Sequence, residues 1–399
     1  MIQKNNNSTI PFLFFILVYA NQAFSGLMDS CIYYLTRENW HLSAGTIGLI
    51  GLITGLAWYI KPLWGFLLDY CPIKNYRSKY YLRYSYIFLL CIYAFVIFYG
   101  LPNVLTIIIT GLLINFCIGI NDVANDTVMV NLEQKYNLKG KIQALQWSSS
   151  AVAGLVVLIL GGFLAQNFAY HVGYRIAYGI AGLLPIGTLF YLYKYYKEDP
   201  IQEIRKHTNF FKDILKVLNP QILLCLGFVA CFQLCPSFGT ALMIKARESM
   251  GVGKMFLAYV GATGTVLGLI GYLLYYWKAY KYPLKKLLYF MVVFSAVTNL
   301  FYLYIPNKWF LVIYNIAFGA FSGIAFLSLL AFFAKIVPKG SEGMIYAVIT
   351  SLSNLCARGG SYLGGTIYDH YGYNTNVIVS TVLTLLCLFF IPHLKIQEK

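Results

Sequence analysis

The sequence predicts an all-α protein built inside a membrane, and three observations predict it. Of 399 residues, 59% are hydrophobic and only 11% charged, with a mean hydropathy of +0.66. A water-soluble domain runs at about half apolar and a quarter charged. Twelve apolar runs are each long enough for a helix that crosses a hydrocarbon core, which takes about 20 residues. The cations, finally, gather in every second loop between those runs. So few charges cannot clothe a soluble surface, and soluble enzymes, DNA-binding domains and secreted disulfide scaffolds are excluded together.

The runs lie at 10–36, 43–68, 81–100, 104–131, 142–166, 174–196, 219–247, 253–277, 284–304, 308–335, 343–367 and 374–394. The first is too long for the apolar core of a cleaved signal peptide, about 7 to 15 residues, and is expected to be retained as a span. Short turns marked by Pro or Gly, as at Leu101-Pro102-Asn103, Ile305-Pro306-Asn307 and Tyr371-Gly372-Tyr373, make neighbouring spans antiparallel. Placing the N-terminus in the cytoplasm puts 22 of the 30 Lys and Arg on that side, so both termini are expected there. The net charge of +16 is then an orientation signal, and no nucleic-acid partner is expected. Arg37, Arg175, Lys245, Arg247, Lys254 and Lys308 remain outside, while Lys61 and Arg358 fall within spans.

The longest polar stretch, Lys194 to Asn219, divides the spans six and six. It predicts an N-terminal bundle over 1–196, a cytoplasmic linker over 197–218 and a C-terminal bundle over 219–399. Its FFKDILKVL portion fits a helix lying on the inner membrane surface and equally a loop with a helical turn. A faint internal repeat adds to the count. Span 2 reads GTIGLIGLITGLAWYIKPLWGFLLDY against GKMFLAYVGATGTVLGLIGYLLYYWKAY in span 8, and Cys117-Ile118-Gly119-Ile120 in span 4 matches Phe321-Ser322-Gly323-Ile324 in span 10. Span count and repeat together predict the major facilitator fold of two pseudo-symmetric six-helix bundles.

Ionisable residues at membrane depth are costly, so they are the first functional candidates. They are Asp29 in span 1, Lys61 in span 2, Asp122 and Asp126 in span 4, and Arg358 in span 11. In this repeat Ile270 stands for Lys61, and Phe326 and Leu330 for the two aspartates, so polar groups lining a cavity come chiefly from the first half. Asp122 and Asp126 share one helix face, where two carboxylates ionise together only at a cost and can carry a proton. The competing reading pairs one of them with Lys61 and turns the other to the cytoplasmic mouth. Lys61 alternatively snorkels to the interface, Asp29 alternatively lies at the outer rim, and Arg358 alternatively serves packing between its flanking Gly359 and Gly360 and a neighbouring helix. Nine cysteines without a C-x-x-C pair, five histidines without ligand spacing and the lack of a Walker A sequence leave no metal or cofactor to expect.

The stretch from His41 to Leu82, centred on Lys61-Pro62-Leu63-Trp64-Gly65 with Asp69 and Pro72, resembles the folate-biopterin transporter family, a branch of the major facilitator superfamily. Asn121-Asp122-Val123-Ala124-Asn125-Asp126, Leu145-Gln146-Trp147, Cys235-Pro236-Ser237, Pro338-Lys339-Gly340-Ser341-Glu342-Gly343 and Ser353-Asn354-Leu355 resemble further segments of it. Gly65 and Asp69 also fit the superfamily's loop motif G-x-x-x-D, which implies a gating loop there. The resemblance leads one to expect an arginine in span 5, where Ser148-Ser149-Ser150 stand, and Arg358 in span 11 is the candidate replacement. It implies a secondary transporter of folate, a pterin or a related anionic heterocycle, moved with protons or against an exchanged anion. The alternative is a major facilitator transporter of another small solute, such as a drug, nucleoside, peptide or sugar; an enzyme lacks a visible constellation. A monomer in a cell membrane, a bacterial inner membrane by codon-driven composition, is expected.

Overall fold

The computed structural model describes residues 12–136, 141–200, 220–336 and 342–395, and its regular elements are all helices. The first predicted span folds as α1 (Phe12–Phe24) and α2 (Asp29–Tyr34), prolonged by a π turn, Leu35–Asn39. Ser25 and Gly26, poor helix formers, stand at the break. The second span is broken into α3 (Ala44–Thr54), α4 (Leu56–Tyr59) and α5 (Lys61–Tyr70). Pro62 accounts for the last restart, because a residue without an N–H suits the first turn of a new helix and not the interior of an old one. α6 (Lys79–Tyr99) ends on Gly100, whose φ of +89° glycine adopts without strain. α7 (Val104–Tyr136), α8 (Lys141–Asn167) and α9 (Tyr170–Lys194) follow.

The remaining chain repeats the pattern. α10 (Pro220–Gln233) and α11 (Gly239–Ile244) are separated at Cys235-Pro236-Ser237, and a second π turn, Lys245–Ser249, follows as after α2. Next come α12 (Lys254–Trp277), α13 (Leu284–Phe301), α14 (Lys308–Ile336) and α15 (Glu342–Leu386), which turns at Gly372 with φ +82° at the expected Tyr371-Gly372-Tyr373. Most of the linker expected at 197–218, with its FFKDILKVL portion, lies outside the described residues.

Nine stretches of the described residues are long and apolar enough to cross a membrane. Their apolar faces point outward: the most apolar window of Lys254–Trp277 is only 17% buried, and Phe98, Leu105, Leu183 and Leu273 are exposed. Apolar surface on that scale is matched by lipid, so this is a multi-pass membrane protein. One buried cluster joins residues from Phe14 to Tyr196 and another joins Cys225 to Leu394. The two sets of helices meet along seams of small residues, with Gly45 and Gly48 of α3 against Thr366 and Tyr362 of α15, and Gly162 of α8 against Ala258 of α12.

Candidate functional site

Lys61 opens α5, and Asp122 and Asp126 sit one turn apart on α7, so the packing of these helices brings all three together. Lys61 Nζ lies 2.5 Å from Asp122 Oδ2 and 3.8 Å from Asp126 Oδ2. Asp122 is 5% exposed and Asp126 35%, so the deeper carboxylate takes the closer hold on the ammonium. Tyr19 of α1 donates its hydroxyl to Asp126 Oδ1 at 3.3 Å. Trp58, whose indole N–H donates to Asn115 Oδ1 at 2.8 Å, faces the Lys61 ammonium 5.8 Å from its ring centroid. Tyr346 of α15 stands within electrostatic reach of Lys61 and Asp126. Of the two readings of the aspartates, the pairing with Lys61 is therefore present, and the ammonium does not snorkel without a partner. With all three groups ionised the cluster carries one negative charge in excess, which a proton on Asp126 removes.

Asp29 opens α2 directly after the break. The helical path continues through Asn39, so Asp29 sits well inside its span and not at its end. Its carboxylate and the Arg358 guanidinium on α15 are both exposed, and among the described residues they form no ion pair; Arg358 reaches across to Gly51 of α3. Gly359 and Gly360 pack against the break between α10 and α11, where Gly360 O accepts from Ser237 N at 2.9 Å and satisfies an amide that the break leaves free. Gly65 and Asp69 do not lie in a loop. Both belong to α5, and Asp69 reaches Arg77 at 3.7 Å beyond the turn that follows.

A second cluster, built from span-end residues that the sequence alone does not single out, lies at the opposite end of the helices. Arg37 Nε donates to Glu248 Oε1 at 2.8 Å, and Arg247 Nε donates to Glu38 Oε1 at 2.9 Å. Each arginine also donates through Nη1 to a carbonyl five residues on, Arg37 to Leu42 and Arg247 to Val252. The helices behind them start alike. Asp369 of α15 accepts from Ala44 N and Gly45 N of α3 at 3.0 and 2.7 Å, and Gln166 of α8 accepts from Met255 N of α12 at 2.8 Å; first-turn amides lack partners in their own helix. Thr36-Arg37-Glu38 and Ala246-Arg247-Glu248 thus form a reciprocal clamp between the two sets of helices, each on a π turn. Among the described residues, the ion pairs that join the two sets all lie at this end. The signal in the sequence was the T-R-E-N and A-R-E-S pair, each closing a broken span. Aligning Arg37 with Arg247 also moves the repeat by one residue, so that Gly271, not Ile270, stands for Lys61.

Known proteins resemble this chain over nearly all of its length. The family model described as the BT1 family matches residues 22–395. The folate-biopterin transporter of Synechocystis sp. is 24% identical over 397 residues, covering 94% of this chain and 79% of that protein. Folate transporter 1 of Plasmodium falciparum is 22% identical over 432 residues, covering 97% and 81%. The crystal structure of the nucleoside transporter NupG has the same fold, with a TM-score of 0.75 at 13% identity over 98% of this chain and 100% of that one.

Proposed function

The chain belongs to the BT1 family, and we propose that it is a secondary transporter which moves folate, a pterin or a related anionic heterocycle across a cell membrane by alternating access of two six-helix bundles. Twelve crossings result when α3 to α5 and α10 to α11 each count as one broken span and Ile345–His393 counts as two joined at Gly372. With the cation bias this supports cytoplasmic termini, a bundle boundary within 197–218 and an outer position for the Arg37 and Arg247 clamp.

The observation that carries the reading is the placement of Asp29 and Arg358, exposed charges of opposite sign carried by the two bundles, with Arg358 reaching α3 of the first. A guanidinium offers a carboxylate a planar fork of two donors, and a carboxylate suits the 2-amino and ring N–H edge of a pteridine. Arg358 takes the place of the arginine expected in span 5. Lys61, by contrast, is occupied by Asp122, so it holds the carboxylates of its own bundle and not the cargo. A ligand gripped from both bundles stabilises the arrangement in which both reach it, which is what couples binding to alternating access. An anion entering against an inside-negative potential needs a co-transported proton or an exchanged anion, and Asp126 is the residue placed to take a proton. The latched outer end supports a state that loads or releases on the cytoplasmic side.

Purified protein in liposomes is expected to accumulate radiolabelled folate under an acid-outside gradient, with biopterin competing. Arg358→Ala is expected to lower folate uptake about tenfold, the worth of one charged hydrogen-bonded contact, with a smaller effect on carboxylate-free biopterin. Uptake of neither compound, or competition by nucleosides or sugars alone, replaces the cargo and leaves the fold.

A further inference from the structure

The outer clamp is symmetric in sequence but not in strength. Glu38 is 20% exposed and receives Arg247 and Lys254 at 2.7 and 2.8 Å and the Tyr170 hydroxyl at 2.9 Å. Its counterpart Glu248 is 51% exposed, and among the described residues its ion-pair partner is Arg37. Beside this weaker side lies a cavity of about 650 Å³ whose lining includes Arg37, Lys245, Ser249, Tyr368, Asp369 and Tyr373. The Lys245 ammonium stands 4.0 Å from the Tyr373 ring centroid and is paired with no carboxylate among the described residues. Asp369, the carboxylate in the lining, has both oxygens engaged by the Ala44 and Gly45 amides. The cavity therefore holds one uncommitted cation beside aromatic rings. In the repeat, Lys245 corresponds to Leu35, a buried residue, so the first bundle has no such cation.

Resting on the reading of an anionic cargo, we propose that this cavity is an outer docking site for a carboxylate-bearing planar solute. Lys245 and Arg37 take the carboxylate, and Tyr373 and Tyr368 take the ring or its linker. Arg37 is committed to Glu248 and Asp369 to the α3 amides, which leaves the Lys245 ammonium to balance one more negative charge. A carboxylate on the Arg37 fork displaces Glu248, and the side of the clamp that has the fewer contacts loosens first. The arriving cargo thus acts as the ligand that unlatches the outer end, while the Glu38 side keeps the bundles in register.

Two measurements test this. In right-side-out vesicles Lys245→Ala is expected to raise the external half-saturation concentration for folate about tenfold, with the maximal rate kept and biopterin uptake unaffected. An unchanged half-saturation, or an equal loss for both solutes, overturns the docking site. The second readout does not need transport: Ser249→Cys, with exposed Cys71, Cys91 and Cys231 replaced by serine, is alkylated by a small anionic thiol reagent. Folate is expected to slow labelling about threefold or more, biopterin not to, and Lys245→Ala to abolish the protection. Labelling indifferent to folate overturns the site even where uptake is intact, whereas protection without uptake upholds the site and removes the transport reading of the preceding section.

Discussion

The contact between α5 and α7 and the contact between α12 and α14 occupy equivalent places in the two halves, yet they are held together by opposite means. In the first, Lys61 bridges to Asp122 and Asp126 across the helices. In the second, Gly271 and Gly323 let the backbones touch: a Cβ at position 271 would meet the Ala320 carbonyl, and one at 323 the Gly268 carbonyl. Small residues are the inexpensive way to join helices in lipid, because close backbones gain dispersion contacts and bury no charge. A buried ion pair costs desolvation and gains little over an apolar contact. One half of this molecule carries that cost and the other does not, which points to a use for the charges beyond holding helices together.

The most severe way to break the comparison is to remove Lys61. Lys61→Ala leaves Asp122, 5% exposed, without its ammonium, and breaking a buried pair on one side costs about 3 to 5 kcal/mol. We expect uptake to vanish and the thermal midpoint of the purified protein to fall. The double change Lys61→Leu with Asp122→Leu sharpens the result, since apolar residues in place of a whole pair are often neutral. Recovery of the thermal midpoint without recovery of uptake would separate function from folding; recovery of both would make the cluster a helix joint like its glycine counterpart.

On the other side, Gly271→Ala puts a methyl group where the Ala320 carbonyl lies. α12 must move off α14, at about 1 to 3 kcal/mol for an overpacked contact. Gly268→Ala on the same helix is the control, because nothing stands within 4 Å of a Cβ there and the helix gains about 1 kcal/mol of propensity. We expect Gly271→Ala to lower the thermal midpoint while uptake per folded molecule is kept. Lost coupling in a stable Gly271→Ala protein would show that the second bundle's contact also moves during the cycle.

What was legible in the sequence follows from what each signal measures. Apolar length and the placement of Lys and Arg report on the bilayer, and they located the helices to within a few residues, as with 81–100 against Lys79–Tyr99 and 284–304 against Leu284–Phe301. The Lys61 pairing was legible as one of two readings, because expensive charges within one bundle have few partners. The depth of Asp29 was not, because an apolar run does not reveal that a helix breaks at Ser25 and resumes to Asn39. Arg37, Glu38, Arg247 and Glu248 looked like ordinary span ends. Their meaning depends on how two bundles meet, and neither periodicity nor span length encodes that contact. Arg358 was legible by its depth and by the arginine missing from span 5, but its reach to Gly51 came only with the packing of α15 against α3.

The finest test of the comparison lies within the charged cluster. Asp122 is the close partner of Lys61, and Asp126, at 3.8 Å and 35% exposed, is the looser one that also accepts from Tyr19. Asp126→Asn keeps the shape, can still meet the Tyr19 hydroxyl, and fixes the cluster in the charge state that protonation of Asp126 would give. Stability is therefore expected to change by less than about 0.5 kcal/mol, since this half-buried carboxylate sits outside the tight pair. Uptake should behave differently: where the wild type accumulates cargo as the outer pH falls, Asp126→Asn should exchange cargo at a rate nearly independent of pH and fail to accumulate it. Asp122→Asn should show the reverse, with lower stability and pH dependence kept, because it strips the ammonium of its closest counter-charge. Equal behaviour of the two variants, with pH dependence intact in both, would leave the cluster a rigid joint and move the coupling proton elsewhere.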